Sequence, residues 1–90
     1  MQPQNLTIES KTERLIEVRD FVSTAAREFG FSDEEVSKIA LAIDEACTNI
    51  IKHAYAFDPT KEIAVTVRGT QGAFEVLISD RGKQFNPSSI

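Results

Sequence analysis

DEACTNIIKHA, residues 44–54, decides how this chain is read. Its apolar positions recur at helical steps, yet it carries Glu45, Asn49 and Lys52 among them. At about 100° per residue, Ile43, Cys47, Ile50 and Ala54 fall within about 60° of each other and define an inward wall. Glu45, Lys52 and Asn49 lie roughly 200°, 180° and 240° from Ile43, on the opposite wall. On an arbitrary helix such a wall is simply solvated. Here it is not uniformly charged: Leu41 and Thr48 share it, and Ala42 and Ala46 flank it, which leaves room for something to lie against the helix. The polar trio also matches a chemistry. An amide oxygen is a hard, neutral ligand for Mg²⁺, which takes few protein ligands. A carboxylate one turn away can accept a proton from a nucleophile, and an ammonium can offset phosphate charge.

Outward from that stretch the signals alternate cleanly. "FSDEEVSKIA" upstream starts the same helix: Ser32 is an N-cap, Glu35 completes a capping box, and Asp33, Glu34 and Glu35 suit the positive end of the helix dipole. The apolar series Val36, Ile39, Ile43, Cys47, Ile50 and Ala54 carries it to about residue 55, where Asp58-Pro59 breaks it. Residues 12–29 hold Leu15, Val18, Val22, Ala25, Ala26 and Phe29 at three- and four-residue steps, an amphipathic helix stopped by Gly30. Leu6 and Ile8 alternate with polar neighbours, as in a short edge strand. "EIAVTVRG" and "AFEVLISD" flank a "GTQG" turn and predict a hairpin. The order β-α-α-β-β, with both helices on one sheet face, predicts an α+β fold, a two-layer sandwich. The chain then runs through a Gly/Pro loop, so residues 1–90 read as the front part of a larger domain, incomplete at its C-terminus.

Composition sets the outer limits. Ninety residues make one domain; 41% are hydrophobic and 27% charged, an ordinary globular balance. A net charge of −4 with no Lys/Arg-rich run speaks against a nucleic-acid partner. No apolar window is long enough to span a membrane. The opening MQPQNLTIES has no basic stretch followed by an apolar run and does not read as a signal peptide. The single Cys47 excludes an internal disulfide framework and suits a reducing cytoplasm. Cys47 sits on the inward wall and reads as a small buried hydrophobe. Phe31, Tyr55, Phe57 and Phe74 read as packing residues, and Arg14, Arg19 and Arg27 on the first helix as solvated charge or a partner surface.

A second constellation is "ISDRGKQF", residues 78–85. Asp80 ends an apolar strand at a glycine-bearing turn, where a carboxylate can accept a hydrogen bond from an exocyclic amine. Gly82 lets backbone approach a flat ring. Alone, Asp-x-Gly is a turn signal.

Together the two stretches resemble a known pair. "DEACTNIIKHAY" resembles the N box of the GHKL (Bergerat-fold) ATPases, and "DRGKQFNP" resembles their G1 box; the combination is most similar to the anti-sigma-factor serine kinases. The resemblance implies a histidine kinase-like ATPase fold that uses ATP and Mg²⁺. It implies a sigma factor and an anti-sigma-factor antagonist as protein partners, the antagonist phosphorylated on a serine. Glu45 would be the catalytic base, Asn49 the Mg²⁺ ligand, and Lys52 and His53 nucleotide contacts near the phosphates. Asp80 would bind adenine, Gly82 would be the G1 glycine and Phe85 would pack beside the nucleotide. A cytoplasmic homodimer is the family's habit. Gln84 stands where many G1 boxes have a second glycine. The resemblance also leaves two other readings open: a non-catalytic protein-binding module of this fold, and the ATPase part of a histidine kinase.

Overall fold

The computed structural model describes residues 2–54, 56 and 58–80. Strand β1 (Gln4–Glu9) is followed by a 3-10 turn (Thr12–Arg14), helix α1 (Leu15–Phe29), helix α2 (Asp33–Asn49), a π-helical turn (Ile50–Ala54), and strands β2 (Glu62–Thr70) and β3 (Ala73–Asp80). The three strands form one antiparallel sheet in the order β1-β2-β3. The fold is α+β, two helices packed on one face of the sheet, and β1 lies at an edge of it as its alternation predicts.

Period-two alternation makes the sheet one-sided. Ile63, Val65 and Val67 of β2 are fully buried, while Glu62 and Arg68 between the same rows are exposed. The register sets Ile8 and Asp80 across from Ile63, and Leu6 and Ile78 across from Val65. The outer face carries polar cross-strand pairs instead: Thr66 donates to Asn5, and Arg68 pairs with Glu75 at 3.0 Å. The hairpin turns in two residues, Gln71-Gly72, and Gly72 takes φ +84°, a conformation glycine adopts without a Cβ clash.

The helices close over the inner face with Leu15, Val18, Val22 and Ala25 from α1, Cys47 from α2 and Ile51 from the π turn. Burying side chains of this kind contributes about 1.5–3 kcal/mol each against full exposure. Gly30 in the left-handed region, φ +119°, ends α1 and donates to the Ala26 carbonyl at 3.2 Å. Ser32 then starts α2 through a complete capping box: its hydroxyl accepts from the Glu35 N–H at 3.2 Å, and Glu35 accepts from the Ser32 N–H at 3.0 Å.

Two details depart from the sequence expectation. The helix expected from residue 12 opens as a 3-10 turn. Arg14 at the junction holds Glu9 at 2.8 Å and Glu17 at 2.6 Å, tying the end of β1 to the first turn of α1. The second helix does not stay α-helical to residue 55. It widens into the π turn after Asn49. Ile51 is fully buried there and Ile50 only half-buried, whereas the helical series gave Ile50 the core position. Ala40 is also buried, having been hidden in the series by its small side chain.

Candidate functional site

Position along α2 follows from its start. Phe29 and Phe31, on either side of the turn between the helices, stack against Phe74 near the beginning of β3, with ring centroids 5.4 and 5.6 Å away. Phe31, Glu35, Lys38 and Ile39 then face Phe74 and Val76 across a groove of about 430 Å³. Helix and strand thus start together and run the same way. Glu35 to Asn49 covers roughly 21 Å at about 1.5 Å per residue. Phe74 to Asp80 covers roughly 20 Å at about 3.3 Å per residue. Asn49 and residue 80 therefore reach the same end of the molecule. Arg19 of α1 meets Asp44 of α2 at 3.2 Å, which holds the C-terminal half of α2 against the N-terminal half of α1.

At that end α2 separates two environments. Cys47 is fully buried and Ile43 half-buried, while Glu45 and Asn49 are exposed on the other wall, as the sequence predicts. Burial pushes the Cys47 thiol up to about 11, with Asp44 adding to it, so it is a neutral packing group at ordinary pH. Glu45 and Asn49 are one turn apart, and among the described residues neither is engaged in a hydrogen bond or ion pair. Lys52 and His53 are exposed in the π turn. The π turn follows Asn49 at Ile50, and Ala56 beyond it takes φ 49°, a second uncommon backbone conformation in this segment. Asp80 is the last residue of β3, across from Ile63 in the row that continues Phe74, Val76 and Ile78. Gly82 and Phe85 lie outside the described residues.

The donor set is compatible with one kind of metal site. Among the described residues no three His, Cys, Asp or Glu side chains gather to hold an ion. A zinc centre would need such a group. Mg²⁺ does not: it keeps most of its waters and is held by one or two protein oxygens plus substrate phosphates. The exposed Asn49 amide fits that requirement.

The structure adds a feature the sequence did not reveal. A cleft of about 370 Å³ opens between α1 and α2 away from the sheet, bordered by Arg19, Ser23, Ser37, Ala40, Leu41 and Asp44. No spacing pattern announces it, because its two walls come from helices joined 25 residues apart at Arg19 and Asp44. No helix among the described residues is long and apolar enough to cross a membrane.

Comparison with known proteins places this arrangement in a family. The model for the histidine kinase-like ATPase domain matches residues 8–90. Serine-protein kinase RsbW of Bacillus mycoides (strain KBAB4) is 32% identical over 85 residues, 94% of this chain and 52% of that protein. Serine-protein kinase RsbW of Bacillus licheniformis is 32% identical over 69 residues, 77% of this chain and 43% of that protein. The chain thus spans about half the length of the curated relatives it matches. With two helices on one face of an antiparallel sheet and the family match running nearly end to end, the chain belongs to the histidine kinase-like ATPase domain family.

Proposed function

We propose that this domain binds Mg-ATP and transfers its γ-phosphoryl group to a serine of a protein, as an anti-sigma-factor serine kinase. One observation carries the reading: Glu45 and Asn49 stand one turn apart near the C-terminal end of α2, exposed and unpaired among the described residues. The similarity to serine-protein kinases supports the choice of serine as acceptor.

When bound, Mg-ATP supplies the phosphoryl group and the metal's charge. Asn49 would give its amide oxygen to the metal, and Asp80 would accept from the adenine amine. Gly82 and Phe85 would line the base, and Lys52 and His53 would be the cationic or polar contacts at the π turn. Glu45 would take the serine hydroxyl proton as that oxygen bonds to the γ-phosphorus and the bond to the bridging oxygen breaks, releasing ADP. Charge placement and positioning supply most of the rate in such transfers, so fixed groups on a packed helix suit the task. The partners in this reading are a sigma factor and an anti-sigma-factor antagonist, met in the cytoplasm, with the domain working as a homodimer.

The test is a calorimetric titration with Mg-ATP paired with a transfer assay on an anti-sigma-factor antagonist. The expected result is binding that Asn49→Ala weakens at least tenfold, and transfer that Glu45→Gln abolishes while binding persists. Transfer surviving in Glu45→Gln would refute the base. Antagonist binding indifferent to ATP would leave a non-catalytic module, and transfer to histidine would indicate the histidine-kinase branch.

A further inference from the structure

We infer that the ridge Leu41–Thr48–Lys52, on α2 and the π turn that continues it, together with the cleft beside Leu41, is the docking surface for the serine-bearing acceptor protein. The inference rests on the transfer reading above and adds to it the route by which the acceptor arrives.

The geometry turns on the position of Glu45. Taking Asn49 as zero, about 100° per residue puts Glu45 at roughly −40°, Leu41 at −80° and Thr48 at −100°. Glu35, Lys38 and Ala42 fall between about −20° and +40°, and that side of the helix is the one that faces Phe74 and Val76 of β3. The nucleotide contacts, Asn49 and Asp80, belong to this β3 side. Glu45 therefore stands on the border between the β3 side and the ridge. A base must touch the acceptor hydroxyl while the phosphoryl donor lies beyond it. With the donor on the β3 side, the acceptor has the ridge side left to approach from.

Three features of the ridge suit a protein. Leu41 is 60% exposed, the most exposed large hydrophobic among the described residues. It borders the cleft between α1 and α2, whose Ser23, Ser37 and Ala40 are small enough to admit an apolar side chain. Lys52 ends the ridge as an exposed cation, and the π turn carries it there: more residues per turn rotate it back from the Asn49 line toward Thr48. The partner fitted by this ridge presents an apolar side chain to Leu41 and the cleft, a serine to Glu45 about one helical turn on, and an acidic group to Lys52 about two turns beyond that.

The experiment measures binding of a purified anti-sigma-factor antagonist by calorimetry, beside nucleotide binding and phosphoryl transfer. Leu41→Glu is expected to weaken antagonist binding at least tenfold and to raise the KM for antagonist to match, with Mg-ATP affinity changed less than threefold. Lys52→Glu is expected to weaken antagonist binding as much; because Lys52 is also assigned to the phosphates, its nucleotide affinity is not a control. Leu77→Glu, on the opposite face of the sheet, is expected to leave all three unchanged. If the wild type binds antagonist without transferring phosphate, and the ridge variants lose that binding, docking stands and the kinase reading fails. If transfer and antagonist affinity both persist in the ridge variants, or the wild type binds no antagonist, the docking surface is overturned.

Discussion

Both helices carry polar residues on their outer walls, but they use them differently. On α1 and the 3-10 turn that leads into it the arginines are occupied: Arg14 holds Glu9 and Glu17, Arg19 holds Asp44, and Arg27 holds Asp33. On the C-terminal half of α2, Glu45 and Asn49 point outward and are held by nothing among the described residues. Charge that is paired within the domain serves the fold or its solubility, and its pairs across exposed surface contribute little. Charge left unpaired beside small residues is available to a ligand. The contrast predicts where substitutions act on function and where they act only on folding.

The largest effect is expected at Glu45. Replacing it with Ala should lower phosphoryl transfer by about 10²–10⁴-fold, the range for losing a general base, with nucleotide affinity nearly intact. Glu28→Ala, an exposed carboxylate of α1, should change transfer less than twofold. A comparable loss in both variants would erase the distinction between the helices. Next comes the inward side of the same segment. Ile51 has no exposed surface, so Ile51→Ala should cost about 2–5 kcal/mol of unfolding free energy in urea titrations. Ile50→Ala, half-buried, should cost clearly less. The reverse order would mean that the segment after Asn49 continues as an ordinary α-helix.

The start of α2 gives a smaller, pH-dependent effect. Ser32→Ala should cost about 1 kcal/mol, the usual loss of an N-cap. Hydrogen bonds from the Ser32 backbone and hydroxyl hold the Glu35 carboxyl below its usual 4.5. A lowered carboxyl stabilises the fold at pH above the unfolded value and loses that contribution as pH falls through the folded one. The gap between wild type and Ser32→Ala, followed by thermal melts, should therefore narrow as pH drops from 6 through the region below 4.5.

Much of this was legible before any coordinates. The β-α-α-β-β order, the capping box at Ser32, the Gly30 stop and the Gln71-Gly72 turn all come from local chemistry, where each residue's preference agrees with its neighbours'. The outward orientation of Glu45 and Asn49 followed from period alone. What escaped depends on contacts between distant residues. The π turn moves the core position from Ile50 to Ile51, and an α-helical period cannot foresee it. The stack of Phe29, Phe31 and Phe74 joins residues more than 40 positions apart. The pairing of Arg19 with Asp44 shows only once α1 and α2 lie side by side, and with it the cleft next to Leu41.

The smallest expected effect tests the α1 side of the contrast directly. Arg27 and Asp33 approach to 3.6 Å, but their side chains are 58% and 95% exposed. Arg19 and Asp44 approach to 3.2 Å at 48% and 29% exposure. Solvent screens the first pair almost completely, and holding two mobile side chains together costs entropy that the weak attraction barely offsets. Double-mutant cycles in urea should give a coupling of about 0–0.3 kcal/mol for Arg27–Asp33 and about 0.5–1 kcal/mol for Arg19–Asp44. In 1 M salt the second value should shrink toward the first, since the Debye length falls to about 3 Å. A strong, salt-resistant coupling at Arg27–Asp33 would mean that the outer wall of α1 is a structural brace along its whole length. An equally weak coupling at both pairs would leave apolar contacts such as those around Val22 and Val36 as the force that holds the two helices together.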